Sequence, residues 1–375
     1  MTAVSMSSSS SDLVVVGAGI VGLAHAVDAV ERGMSVTVVE RDERAVGASV
    51  RNFGHACITA QEGEALRFAE QARATWLRLG EQAGFEVAEC GTVVVARSAE
   101  ETAALEELAT NRGTDQVRLL TAAETASAAP VSTTGLEGGA LLARDLRVDQ
   151  RRAAAAIADW LAAQPGVRFL WSTPVLGVDD GLVRTGRGPV RGDRVVVCAG
   201  HDLDRIFPET AESAGMRRCV LQMLQVRAPG LRLDPALLTG TSMLRYPALA
   251  ATGGARALRT RLSHQRPELL EASVNHMLTQ LSGGDLVVGD THTYARTPEP
   301  WSSEEFDRLL LAETRALLGR DDLDVVRRWQ GVYASAEGEF LRARLSPGVT
   351  AVAVTSGIGM TTAFGLAPSV LDSLA

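Results

Sequence analysis

An excess of positive charge, a membrane-length apolar run and paired cysteines are all missing from this 375-residue sequence. Acidic residues outnumber basic ones by 45 to 37, a formal charge of −8, which argues against a nucleic-acid or anionic-membrane surface as the main partner. No apolar stretch approaches the roughly 18 residues that a membrane helix needs. Residues 1–11 are Ser-rich with no basic residue to open a signal peptide, so they read as a disordered tail and the protein as cytoplasmic. The four cysteines, Cys57, Cys90, Cys198 and Cys219, form no CxxC pair and no Cys/His cluster. That spacing sets aside a zinc or redox-disulfide framework, leaves no metal to expect, and fits a reducing compartment. An internal repeat is also absent, which argues against solenoid architectures.

What is there is an ordinary globular composition, 46% hydrophobic and 22% charged, on a chain long enough for two lobes. The first structured run is Leu13-Val14-Val15-Val16, then Gly17-Ala18-Gly19-Ile20-Val21-Gly22, then an apolar helix to about Glu31. Gly33 ends that helix, and Ser35 to Glu40 reads as a second strand, completing a βαβ unit. Gly17, Gly19 and Gly22 form GxGxxG between strand and helix, where glycines permit a tight turn and let the backbone approach a pyrophosphate. Glu40 closes the second strand where a carboxylate accepts hydrogen bonds from ribose hydroxyls and repels a 2′-phosphate, favouring FAD or NAD over NADP.

Helical patterns are expected at 62–84, 99–112, 149–163 and 302–318, and strands at 91–96, 194–198, 217–226, 285–290 and 349–354. The fold class is therefore α/β: a Rossmann-like dinucleotide-binding domain joined to a second, sheet-rich α+β substrate domain. The first is discontinuous, at 12–88, 136–214 and 330–375, and the second takes 89–135 and 215–329. Three features favour flavin over NAD. After Glu40 and Arg41 comes a small-residue loop through Gly47, Ala48, Ser49, Arg51, Asn52, Gly54 and His55, not another strand–helix alternation. The strand Arg194 to Cys198 ends in Ala199-Gly200, small enough for a cofactor to approach. The last strand runs into Gly357-Ile358-Gly359-Met360-Thr361, a second helix start whose positive dipole end would stabilise an anionic reduced flavin.

These motifs resemble the D-amino-acid oxidase superfamily of FAD enzymes, the glycine and sarcosine oxidase branch in particular, over nearly the whole chain. Gly47 to Gly54 is similar to a subgroup associated with bacterial phosphonate breakdown. The resemblance implies FAD at Gly17, Gly19, Gly22, Glu40, Ser49 and Gly359, and hydride removal from a C–H bond beside nitrogen to give an imine and then an aldehyde or oxo acid. Ile20, Val21, Arg41, Ala48, Asn52, Gly54, His55, Ala199, Gly200, Gly357, Met360 and Thr361 complete the expected cofactor set. Gly331 stands where sarcosine oxidases attach flavin to cysteine, which implies noncovalent FAD. Thr361 replaces the lysine of relatives, which puts fast reaction with O₂ in doubt and leaves the electron acceptor open.

Substrate candidates are polar residues near the expected flavin. Arg51 can hold a phosphonate or carboxylate in a fork of hydrogen bonds, with a structural ion pair as the equal alternative. His55 can orient an amine or serve as a hydrogen-bonded loop residue. Alternation places His276, Leu278 and Gln280 on one strand face and Met277 with Thr279 on the other, the His276 face being a candidate flavin cover. Gln330 and Tyr333, preceding the closing strand, complete the set. Tyr246 is a weaker candidate, the Arg256 to Arg266 run reads as a solvated face, and Cys57 as a packing residue. The expected activity is FAD-dependent oxidation of a small anionic amine, sharpest as 2-aminoethylphosphonate or its N-methyl form. A generic D-amino-acid, glycine or sarcosine-like oxidase and a non-catalytic flavin-binding subunit are the alternatives.

Overall fold

The computed structural model describes residues 10–374. Most of the tail expected at 1–11 lies outside the described residues, but Ser11 does not belong to it. The first strand is Ser11–Val16, two residues earlier than the apolar run suggests, because its backbone pairing with Gly188–Val197 begins at Ser11 opposite Gly192, and the Ser11 and Thr37 hydroxyls add a hydrogen bond of 2.7 Å.

Five strands make a parallel core in the first sheet, in the order Val167–Leu170, Val36–Val39, Ser11–Val16, Gly188–Val197 and Val349–Val354. Val14, Val15, Val36, Val38, Val195 and Val196 are fully buried, as continuous β-branched runs must be in a sheet covered on both faces. One face is covered by the helices Ile20–Glu31, Gly63–Ala83, Gln150–Ala162 and Gly359–Asp372. Trp76 sits at the centre of that layer, edge-on to Phe85 and Phe364 and donating its indole N–H to the Met360 carbonyl at 2.7 Å.

The second sheet has eight strands and is built around three long antiparallel ones, Asp324–Ser335, Arg217–Arg227 and Leu286–Ala295. Two expected boundaries shift. Gly138–Leu142 belongs to this sheet, pairing with Thr92–Ala96 and Val117–Thr121, and residues 330–335 belong to it too, because the last of its long strands stays paired with Arg217–Arg227 to Ser335. Residues 215–329 are also less sheet-rich than expected, with four helices between Gly240 and Glu271. The basic run falls on the helix Gly253–Gln265, where Arg261 faces Glu100 and Glu101, while Arg266 just beyond it pairs with Glu268 and Glu313. No helix among the described residues is long and apolar enough to cross a membrane.

Candidate active site

A cavity of about 750 Å³ runs between the two large sheets, from Gly17 and Glu40 at one end to Arg245 and Asn275 at the other. Its first half is a backbone cradle. Gly17 has φ 103° and an added Cβ would stand 2.5 Å from the Cys198 carbonyl, while a Cβ on Gly22 would strike the Gly17 carbonyl. Only glycine fits either position. The Ile20 N–H donates to the Ser49 hydroxyl at 2.8 Å, and the helix start carries neither a side-chain cap from Gly19 nor an acidic residue in its first turn. Apart from that one N–H, the helix terminus is open to receive phosphate. Glu40 accepts the Ala18 N–H at 2.8 Å and the Asp42 N–H at 3.0 Å, which locks its carboxylate beside the cavity with lone pairs to spare.

Asn52 holds the following loop together. Its amide donates to the Ala48 and Ser49 carbonyls and its oxygen accepts the Gly54 N–H at 2.7 Å. Ile20, Val21, Arg41, Ala48, Ala199, Gly200, Gly357, Gly359, Met360 and Thr361 line the cavity as well, whereas Gly22 and Gly54 stand behind its wall. Arg41 reaches Asp202 at 2.6 Å. The closing helix starts at Gly359 with no side-chain cap and no acidic residue in its first turn, so its positive end is uncompensated where it meets the cavity.

The second half is polar at its end and apolar along its sides. Arg245, partly buried, donates through Nη2 to the Tyr333 hydroxyl at 2.8 Å and the Ser356 carbonyl at 3.2 Å. Its Nε and Nη1 donate to no protein acceptor and no carboxylate is in ion-pair range among the described residues. Burial works against its charge, but Tyr333, Tyr294 and Asp290 together hold the guanidinium above its ordinary pKa. Asp290 is almost wholly buried, with burial raising its carboxyl to about 7 against the opposing pull of Arg245 and a hydrogen bond from Asn275. His292 lies 3.8 Å from Asp290 and is held neutral, burial lowering it to about 3. Leu221, Phe53, Met277 and Tyr246 supply apolar wall.

Four buried polar atoms on cavity-lining residues have no protein partner among the described residues: His55 Nδ1, Gln61 Oε1, Asn275 Oδ1 and Ser356 Oγ. Unsatisfied buried groups are costly and concentrate where a ligand completes them.

The sequence-derived substrate candidates divide. Tyr333 lines the cavity and is fixed by Arg245. Arg51 also touches it, but its exposed guanidinium donates to the Val46 carbonyl at 2.7 Å and the Gln330 carbonyl at 3.4 Å, so it braces its own loop. His55 lines the wall while its Nε2 is engaged by Thr92 at 2.6 Å and Asp145 at 3.2 Å. His276 and Gln330 lie outside the cavity. The His276 ring bonds Thr314 on the helix Glu304–Leu318 at 3.0 Å, and it is Met277 that faces the site. Gln330 donates to the Trp301 carbonyl. Missed were Arg245, Asn275, Asp290 and His292. Two polar residues spaced by two near the middle of the apolar strand Leu286–Ala295 were the available signal for the last pair.

The family of FAD-dependent oxidoreductases named DAO matches residues 12–370. The chain belongs to that family. Among solved structures it is similar to glycine oxidase from Geobacillus kaustophilus, at 20% identity and a TM-score of 0.77 over 97% of this chain and 94% of that one. L-proline dehydrogenase from P. horikoshii gives 19% and 0.80 over 98% and 93%, and iminodiacetate oxidase from Chelativorans sp. BNC1 gives 18% and 0.72 over 96% and 94%. No curated protein matches the sequence. The cofactor of this family is FAD, and the chain fits it: a cradle in which Gly17 and Gly22 admit no side chain of their own, a helix start bonded only by Ser49 at its first N–H, Glu40 beside it, and a second helix start without a side-chain cap at the far end. Gly17, Gly19, Ser49 and Glu40 would hold the ADP half, with Gly359, Met360 and Thr361 beyond.

Proposed function

We propose that the protein oxidises the C–H bond next to nitrogen in a small anionic amine, an aminoalkylphosphonate such as 2-aminoethylphosphonate or its N-methyl form being the sharpest candidate. The observation that carries this reading is Arg245, a cation lining the cavity with guanidinium donors unspent and no carboxylate in ion-pair range among the described residues. An anionic substrate group supplies the missing partner, and a guanidinium suits a phosphonate or carboxylate through paired hydrogen bonds. Asn275 Oδ1, buried and without a donor, is placed to receive an N–H. The bound FAD supplies the hydride acceptor; the chain supplies orientation, charge pairing and exclusion of water.

FAD is held noncovalently in this reading. The cavity-lining thiols of Cys57 and Cys198 are both pushed up in pKa by burial, which keeps them protonated and unreactive. Anaerobic addition of aminoalkylphosphonates should bleach the flavin absorbance, and amino acids should not. Bleaching by glycine, sarcosine or D-amino acids would shift the assignment to a generic amino-acid oxidase, whose carboxylate also suits Arg245. Oxidised flavin across the whole panel would favour a non-catalytic subunit.

The sequence contains no lysine, so no ammonium side chain of this chain stands at the flavin, where the resemblance ties such a group to O₂ activation. Slow return of colour in air is the expected result, with faster return on adding an organic electron acceptor.

A further inference from the structure

Oxidation of an amine by hydride loss requires a free lone pair on nitrogen, yet a simple amine is an ammonium at neutral pH, since its pKa is about 10 as in lysine. Something must take that proton inside a site from which water is excluded. Resting on the amine reading above, we infer that Asp290 is the proton acceptor that converts the bound ammonium into the reactive amine.

The geometry singles out this carboxyl. Asp290 is the extra residue of a bulge in the strand Leu286–Ala295, where Gly289 pairs with Met223 and Thr291 with Gln222. Bulges re-aim side chains beside active sites. Its backbone is pinned to Asn275 by two hydrogen bonds of 2.8 Å, and the Asn275 amide donates to Oδ1 at 3.0 Å. That leaves Oδ2 with no hydrogen-bond partner among the described residues, the His292 ring standing off at 3.8 Å. Asn275 Oδ1 is the orphaned acceptor of the same pair. An ammonium offers two N–H groups to these two oxygens, while Arg245 on the same cavity takes the anionic end.

The groups around Asp290 agree with the role. Arg245 favours its carboxylate, while the partly buried Tyr246 and the buried Cys219 stay protonated, with pKa values above their ordinary ones. His292 donates from Nδ1 to the Ser273 carbonyl at 3.0 Å and is too weakly basic to hold the proton itself. When an anion neutralises Arg245, the pull that keeps Asp290 ionised weakens and its basicity rises as the substrate seats. The N–H bond then breaks, an O–H bond forms on Asp290, and the pair stays on nitrogen; burial favours this neutral pair over two buried charges. Bound FAD would supply the hydride acceptor, and the proton on Asp290 leaves to water after product departs.

The test follows anaerobic flavin reduction against pH in the holoenzyme, using whichever amine of the panel bleaches it. Wild type should gain rate through a limb near pH 7. D290N should lose that limb, be slower at neutral pH by on the order of 100-fold, and recover as pH approaches the pKa of the free amine. R245Q should shift the limb upward. Independently of turnover, infrared spectra of the substrate-free holoenzyme should show a carboxylic-acid carbonyl signal vanishing near pH 7, absent in D290N. An unchanged reduction profile in folded, FAD-loaded D290N overturns the role and spares the amine reading, as does an unshifted limb in R245Q with no such infrared signal in wild type. Failure of every amine to bleach the wild type overturns both.

Discussion

Arg245 and Asp290 divide the substrate end of the cavity by charge, and each makes a separate prediction. Replacing Arg245 by Met keeps an unbranched apolar stem but removes the donors. Hydrogen bonds to charged groups are worth about 1.5–3 kcal/mol, so KM for an anionic amine should rise by roughly ten- to a hundredfold while FAD content stays unchanged. An unaltered KM would remove Arg245 from the anion site. For Asp290 the effect on stability has a definite sign. Its carboxyl titrates near 3.8 unfolded and at about 7 folded, so the native state holds an extra proton in that window and loses stability as pH rises through it. Substrate-free Asp290→Asn should therefore melt higher than wild type above pH 7, with the gain vanishing below pH 4. Equal midpoints at pH 8 would contradict a buried carboxyl there.

At the scale of elements, the helix Gly63–Ala83 secures the closing helix through Trp76, whose indole N–H caps the Met360 carbonyl. Trp76→Ala removes that bond and an aromatic cluster at once, a cost of about 3–5 kcal/mol by comparison with buried aromatic truncations. Because Met360 lines the cavity, the variant should also bind FAD more weakly, measurable by flavin fluorescence on dilution; unchanged affinity would uncouple this packing from the site. Elements of this kind were legible in the sequence. The GxGxxG turn, the helix Ala99–Arg112 and the strand Arg217–Arg227 each have a long periodic pattern or a glycine signature. The short helices Gly240–Met243, Pro247–Ala250 and Pro267–Glu271 span too few turns for periodicity to register, and Arg245 follows the first of them. Alternation correctly separated His276 from Met277, but it names residues sharing a face and is silent on which face meets the cavity. The bulge at Asp290 is likewise set by pairing with strands distant in sequence, and no local pattern announces it.

At the scale of the whole molecule, the cavity is a seam: Val16, Val39 and Val352 reach it from the first sheet, Leu221, Met277 and Tyr333 from the second. FAD seated there contacts both sheets, so its binding energy adds to the folding of both. A ligand that binds only the native state stabilises it by about 4 kcal/mol when present at a thousand times its Kd. Holoenzyme should therefore unfold in one transition, with the rise in free-flavin fluorescence coinciding with loss of far-UV circular dichroism. The apoprotein should melt several degrees lower, by roughly 2–4 °C for each kcal/mol in domains of about this size. Its Gly22→Ala counterpart, in which the new methyl strikes the Gly17 carbonyl, should behave as apoprotein even in excess FAD. Flavin released well below the temperature at which secondary structure is lost would mean that the cofactor rests on one lobe and does not join the two.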